Sequence, residues 1–189
     1  MYKEIKGNLI ELAKQGEFDV IAHGCNCKSV MGAGIAPQMA NAFGVDKFEL
    51  ELWGETIEKL GNIDFQIFVL GKNAIWNLDI CDNKGKEPEL IVVNAYTQDG
   101  FGRNHKDGSK APLDYEALTL CIRKMNKVFK GKHIGLPKIG CGLAGGIWDI
   151  NELDMDTTDF DFNNTCFRDV KTIIQEELKD CDVTIVIYE

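Results

Sequence analysis

No apolar run in this sequence approaches the roughly 20 residues that a bilayer-spanning helix needs, so no membrane partner is expected. Positive charge is scarce too. Lysine and arginine total 21 against 30 aspartates and glutamates, for a net charge of −9. A general nucleic-acid binder needs a basic surface, so none is expected here either. The deficit does not exclude a small anion, which backbone N–H groups can hold without lysine. The first residues, Met1 to Ile5, lack the charged-then-apolar pattern of a secretory leader, and a cytoplasmic address is expected. There is no close pair of cysteines beyond Cys25 and Cys27, which stand one residue apart. With seven cysteines and no second close pair, reduced thiols are expected and a structural zinc site is not. No metal constellation and no cofactor are expected.

What the sequence has in quantity is glycine, 19 residues, and much of it falls in two loops. The first is the stretch 23–36, from His23 through Gly32-Ala33-Gly34-Ile35-Ala36. It follows an apolar run at 18–22 and precedes a helical pattern with Pro37 in its first turn. A glycine-containing loop between a strand and a helix start offers close backbone approach and free N–H groups, which suits a phosphate or diphosphate. The same joint also serves merely to turn a chain. The second loop, 136–148, contains Pro137-Lys138-Ile139-Gly140-Cys141-Gly142-Leu143 and also follows an apolar run, 133–136. Two such loops at strand ends can clamp one diphosphate from both sides. Neither is read as a dinucleotide or Walker-type turn; in the first, Pro37 stands where a third glycine would be needed. Cys141 is either a nucleophile or a small residue filling a tight turn.

Along the chain, strand patterns at 2–5, 18–22, 63–70, 74–78, 90–96, 133–136 and 183–188 alternate with helical patterns. Helices are expected at 34–43, 46–60, 114–128 and 167–178. A hairpin is expected at 63–78, and a long polar loop at 97–110. This order predicts one α/β domain over 1–189, a three-layer α/β/α sandwich around a central mixed β-sheet, with an acidic loop insertion at 149–165. The ligand cleft is expected at the carboxyl ends of the central strands.

With both loops placed, nearly the whole chain resembles the macrodomain family, which binds ADP-ribose. The carriers are Gly7-Asn8-Leu9, the segment 19–36, and the segment 136–148. The branch resembled includes terminal ADP-ribose glycohydrolases and the yeast-type ADP-ribose 1″-phosphate phosphatase. The resemblance implies that Asn8, with Leu9, meets the adenine. It implies that Asn26 orients the distal ribose, and that Met31, Gly32, Ala33, Gly34 and Ile35 surround the diphosphate and distal ribose. By the same resemblance, Pro137, Ile139, Gly140, Cys141, Gly142 and Leu143 are expected to form the second phosphate loop. Asn8 is equally readable as a turn or cap residue, and Phe101 or Tyr96 either lies along the ligand or packs in the core. Two departures matter. Ala144 stands where the glycohydrolase branch has an aspartate, and the stretch Asn94-Ala95-Tyr96-Thr97 lacks that branch's lysine. A covalent glycosidase mechanism is therefore unsupported. What remains is removal of the terminal phosphate from ADP-ribose 1″-phosphate, with His23 as the titrating group and Asn26 orienting the ribose; at the end of a buried strand, His23 also reads as a hydrogen-bonded core histidine. Asp149 and His105 are further candidates. The alternatives are a non-catalytic reader of ADP-ribose and a hydrolase of ADP-ribosyl esters. A monomer is expected.

Overall fold

The computed structural model describes residues 1–47, 56–70, 75–77, 89–100, 112–152 and 168–188. The elements run β1 (Tyr2–Lys6), α1 (Leu9–Lys14), β2 (Val20–Asn26), α2 (Ala36–Phe43), β3 (Ile63–Leu70), β4 (Ile75–Asn77), β5 (Glu89–Gln98), α3 (Tyr115–Val128), β6 (His133–Leu136), α4 (Val170–Glu177) and β7 (Asp182–Ile187).

Alternation along the central strands sets the architecture. In β2, Val20 and Ala22 join one apolar cluster and Ile21 the other; in β5, Val93 and Ala95 oppose Leu90 and Val92. Successive strand side chains point to opposite faces, so these strands are covered on both sides. One cover is α3 and α4, through Leu118, Cys121, Ile122, Met125, Val170, Ile173 and Ile174. The other is α1 and α2, through Leu9, Ile10, Ala13, Met39 and Phe43. The result is the expected three-layer sandwich.

The sheet has seven strands in the order β1-β7-β6-β2-β5-β3-β4. β1, β7, β6, β2 and β5 are mutually parallel, while β3 runs antiparallel to β5 and β4 antiparallel to β3. The sheet is therefore mixed, and the hairpin expected near 63–78 forms from β3 and β4. β2, β5 and β6 all point their carboxyl ends the same way, and the loops after them meet there.

Several boundaries differ from expectation. β2 continues through His23 to Asn26, where a loop was expected from His23 onward. The reason is its partner. β5 runs on to Gln98, so His23, Gly24 and Cys25 pair with Asn94, Ala95 and Tyr96, and the register shifts only between Cys25 and Asn26. At 46–60, the described ends are 3-10 turns, Val45–Lys47 and Thr56–Lys59, rather than parts of an α-helix. The acidic segment opens with another 3-10 turn, Ile150–Glu152; its remainder, with most of the 97–110 loop, lies outside the described residues.

Side-chain caps close three helix starts. Asn8 accepts from the N–H groups of Ile10 (3.0 Å) and Glu11 (3.3 Å), Asp114 from Ala117 (2.8 Å), and Asp169 from Thr172 (2.7 Å). Such caps satisfy N–H groups that the first helical turn leaves without partners. The exception is α2. Its N-cap residue, Ile35, makes no side-chain bond to the helix start, and Pro37 occupies the first turn.

Candidate functional site

The uncapped start of α2 opens into a cleft of about 600 Å³ at the carboxyl ends of β2, β5 and β6. A cavity of that size suits a small organic ligand. The first glycine loop contributes Gly32, Ala33, Gly34 and Ile35 to its wall, and the second contributes Pro137, Ile139, Gly140, Gly142 and Leu143. Gly140 holds φ at +74°, a left-handed conformation that a side chain disfavours. The two loops face each other across the cleft, as expected. Free N–H groups and the positive end of the helix dipole at α2 make this side of the cleft attractive to an anion.

Glycines 140, 142 and 145 do meet the literal G-x-G-x-x-G spacing. No helix follows them; 141–149 is a chain of turns and bends. The second loop is therefore not the helix-opening turn of a dinucleotide fold.

Asn26 lines the cleft and is nearly buried. Its Nδ2 donates to the Val30 carbonyl (2.9 Å), and its Oδ1 accepts from the N–H groups of Lys28 (3.0 Å) and Val30 (3.2 Å). One amide therefore folds residues 27–30 back on the end of β2, including Ser29, which sits at φ +54°. Its carbonyl oxygen already accepts two bonds, and one Nδ2 hydrogen remains for a ligand.

His23 does not fit the role of a titrating catalytic group. Its side chain is fully buried, on the same face as Ile21 and Cys25, and it does not line the cleft. Asn94 donates Nδ2 to the Val45 carbonyl (3.0 Å), which fixes its Oδ1 as the acceptor for His23 Nε2–H (2.7 Å). Burial lowers the His23 pKa to about 4, with the Asn94 bond opposing part of that shift. A neutral imidazole locked in the core has no route to a substrate proton.

Four other expected ligand residues also stand away from the cleft wall. Asn8 caps α1 and lies in a separate polar depression with Lys14, Gln38 and Asn41. Leu9 and Met31 pack in the cores. Cys141 is half-buried, its Sγ bonding to the Ile139 carbonyl (3.4 Å). Burial pushes its thiol up to about 12, so it is protonated at neutral pH and fills the turn rather than attacking. Alkylation of Cys141 by iodoacetamide at mildly alkaline pH is expected to run about a thousandfold slower in the native protein than in urea, from the loss of thiolate alone. Peptide mass spectrometry reads this directly; equal rates would show a native thiol as accessible and as acidic as an unfolded one, and a faster native rate would mark it as activated.

Tyr96 is buried, donating its hydroxyl to Asp64 beneath the first loop, and is not a ligand platform. Asp149 is held by Lys171 (3.0 Å) and by the Asn151 N–H (2.9 Å), outside the cleft. Phe101 and His105 lie outside the described residues.

The sequence reading missed Gly24, Thr97, Gln98, Pro112 and Lys138, all of which line the cleft. Thr97 is fully buried and its hydroxyl has no hydrogen-bond partner among the described residues. A β-carbon at Gly24 would stand 2.9 Å from that hydroxyl, so the glycine leaves room for it. Thr97 and Gln98 are the end of a strand longer than the apolar run suggested, and β-branched Thr97 continuing that run was the available signal.

No protein-family model matches the chain. It is 32% identical, over 82% of its length and 88% of the relative's, to an uncharacterised 17.5 kDa protein encoded in the tk–vs intergenic region of Enterobacteria phage T4. It is 26% identical, over 78% of its length and 88% of the relative's, to an ADP-ribose 1″-phosphate phosphatase of Meyerozyma guilliermondii. Among solved structures, a Thermosipho africanus DarTG in complex with ADP-ribose matches 97% of this chain over 40% of its own, with a TM-score of 0.62 at 14% identity. The Oceanobacillus iheyensis macrodomain with ADP matches 98% of this chain over 82% of its own, with a TM-score of 0.53 at 18% identity.

Proposed function

We propose that this chain is a macrodomain whose cleft binds ADP-ribose and removes the terminal phosphate of ADP-ribose 1″-phosphate; its fold is that of solved macrodomains, and an ADP-ribose 1″-phosphate phosphatase is 26% identical to it. The observation that carries this reading is the pair of facing glycine loops beside an uncapped α2, with no carboxylate among the described residues that line the cleft. A diphosphate and a second phosphate bring several negative charges, and such a wall meets them with N–H groups and no repelling acid. The phosphatase relative supports the same ligand class.

Phosphoryl transfer asks little covalent chemistry of a protein. Its loose transition state is served chiefly by positioning and by stabilising charge on the equatorial oxygens. Water attacks phosphorus, the bond from phosphorus to the anomeric oxygen breaks, and ADP-ribose and inorganic phosphate leave. The anomeric oxygen is a better leaving group than an ordinary alkoxide, which reduces the need for a strong general acid. With His23 in the core, the loops supply the stabilisation and Asn26 holds the first loop in place.

A reader that binds without turnover is the second reading. It is favoured by one observation: Cys25 and Lys138 are the titratable side chains among the described residues lining the cleft. Burial raises the Cys25 thiol, so it is no base at neutral pH. Phosphorus NMR of ADP-ribose 1″-phosphate with the full chain, in the presence of a chelator, separates the two. Loss of the monoester signal with matching inorganic phosphate is expected. No change over hours at high protein concentration sinks the phosphatase reading. Binding of ADP-ribose without turnover then leaves the reader, with ADP-ribosyl esters as the next substrates.

A further inference from the structure

We infer that Lys138 is a specificity-determining residue of the cleft, the cation that leaves the face of Trp148 to pair with the ligand's diphosphate. The inference rests on the ADP-ribose reading above and adds a charged contact to it.

Lys138 stands in the second glycine loop, directly after Pro137, and lines the cleft. Its ammonium lies 5.2 Å from the centroid of the Trp148 ring. That is a cation–π contact, and it differs from an ion pair in one respect: it holds the side chain without neutralising it. Among the described residues no carboxylate pairs with Lys138. Lys171 shows the contrast, with Asp149 at 3.0 Å and Glu4 at 3.6 Å. In a chain of net charge −9, a cation at a cleft that carries no described acid is out of keeping with the general surface. A diphosphate offers it a full charge and directed acceptors, stronger partners than an indole face. The lysine stem has four rotatable bonds and makes the exchange without backbone movement. The Trp148 ring then serves as the resting place that keeps the side chain ordered beside the cleft while it is empty.

The test compares the full chain with its Lys138→Met and Lys138→Arg variants by calorimetric titration with ADP-ribose at low and physiological salt. Lys138→Met keeps the apolar stem and is expected to weaken binding about tenfold at low salt, with a flatter salt dependence. Lys138→Arg is expected to stay within about threefold of wild type, since it keeps the charge. The Trp148 indole N–H cross-peak, assigned by its loss in Trp148→Phe, should shift on saturation in wild type and not in Lys138→Met. Equal affinity in Lys138→Met, or an unmoved cross-peak in wild type, overturns the inference while leaving ADP-ribose binding intact. Failure of wild type to bind ADP-ribose overturns the functional reading and this inference together.

Discussion

Gly146→Ala is expected to collapse the second glycine loop, lowering stability by about 2–3 kcal/mol and removing ligand binding with it. A β-carbon at Gly146 would sit 2.3 Å from Leu113 Cδ2 and 2.8 Å from the Gly140 carbonyl oxygen. Leu113 has little room to rotate away: it is nearly buried and its N–H is tied to the Ala144 carbonyl at 3.1 Å. Gly140 is backbone and cannot yield without breaking its carbonyl's bond from the Gly146 N–H (2.9 Å). The loop is thus a closed ring whose two ends touch, and Leu113 plugs it from the side. Gly142→Ala provides the control. Nothing lies within 4 Å of its β-carbon, so the cost in stability is expected to stay within about 0.5 kcal/mol. Urea midpoints at constant m-value measure both. A wild-type midpoint for Gly146→Ala would mean that the loop tolerates an opening that its packing forbids.

The second large effect is acid destabilisation through His23. Its pKa falls from the ordinary 6.5 to about 4 in the native state because the ring is buried. The sign follows from linkage. An unfolded histidine takes up its proton near 6.5, whereas the native one resists until about 4. The contribution is therefore complete above pH 6.5 and is lost as pH falls toward 4, by on the order of 3 kcal/mol. Asp64 works against it. Burial raises its carboxyl, despite bonds from Tyr96 and Asn94, so acid favours its native form. A bare acid titration mixes the two groups. Comparing wild type with His23→Gln cancels the Asp64 part, since glutamine keeps an N–H for Asn94 and does not titrate. Wild type is expected to lose about 2–3 kcal/mol more than His23→Gln between pH 7.5 and 4.5, by urea unfolding. Parallel curves would show that His23 is not sealed from water, and would restore it as a candidate for proton transfer.

The histidine also shows where sequence reasoning ends. Its position after a buried run marked it as either a core residue or the first residue of a ligand loop. Both readings fit the local pattern. The choice depended on β5, some 70 residues away, whose Asn94 accepts a hydrogen bond from the imidazole N–H and whose length carries β2 past the expected boundary. Asn8 makes the same point from the other side. Its two cap bonds are short-range, and the sequence already held capping open as a reading.

The candidate site divides along the same line. Gly32, Gly34, Gly140 and Gly142 were legible because a glycine after a strand advertises a backbone need. Lys138 was not, because nothing local distinguishes a lysine bound to solvent from one resting on Trp148 beside a cleft. Thr97 reads locally as the start of the polar loop, although β5 carries it as a strand residue.

By itself, the sequence determined the alternation of strands and helices, the seven-strand count and the two glycine loops that line the cleft. Those follow from periodicity and from glycine's backbone freedom, both local properties of the chain. The tertiary structure alone decided that His23 is core, that Cys141 fills a turn, and that Lys138 stands at the cleft with no carboxylate partner among the described residues. A period-two pattern tells that neighbours take opposite faces; only the packed sheet decides what each face meets.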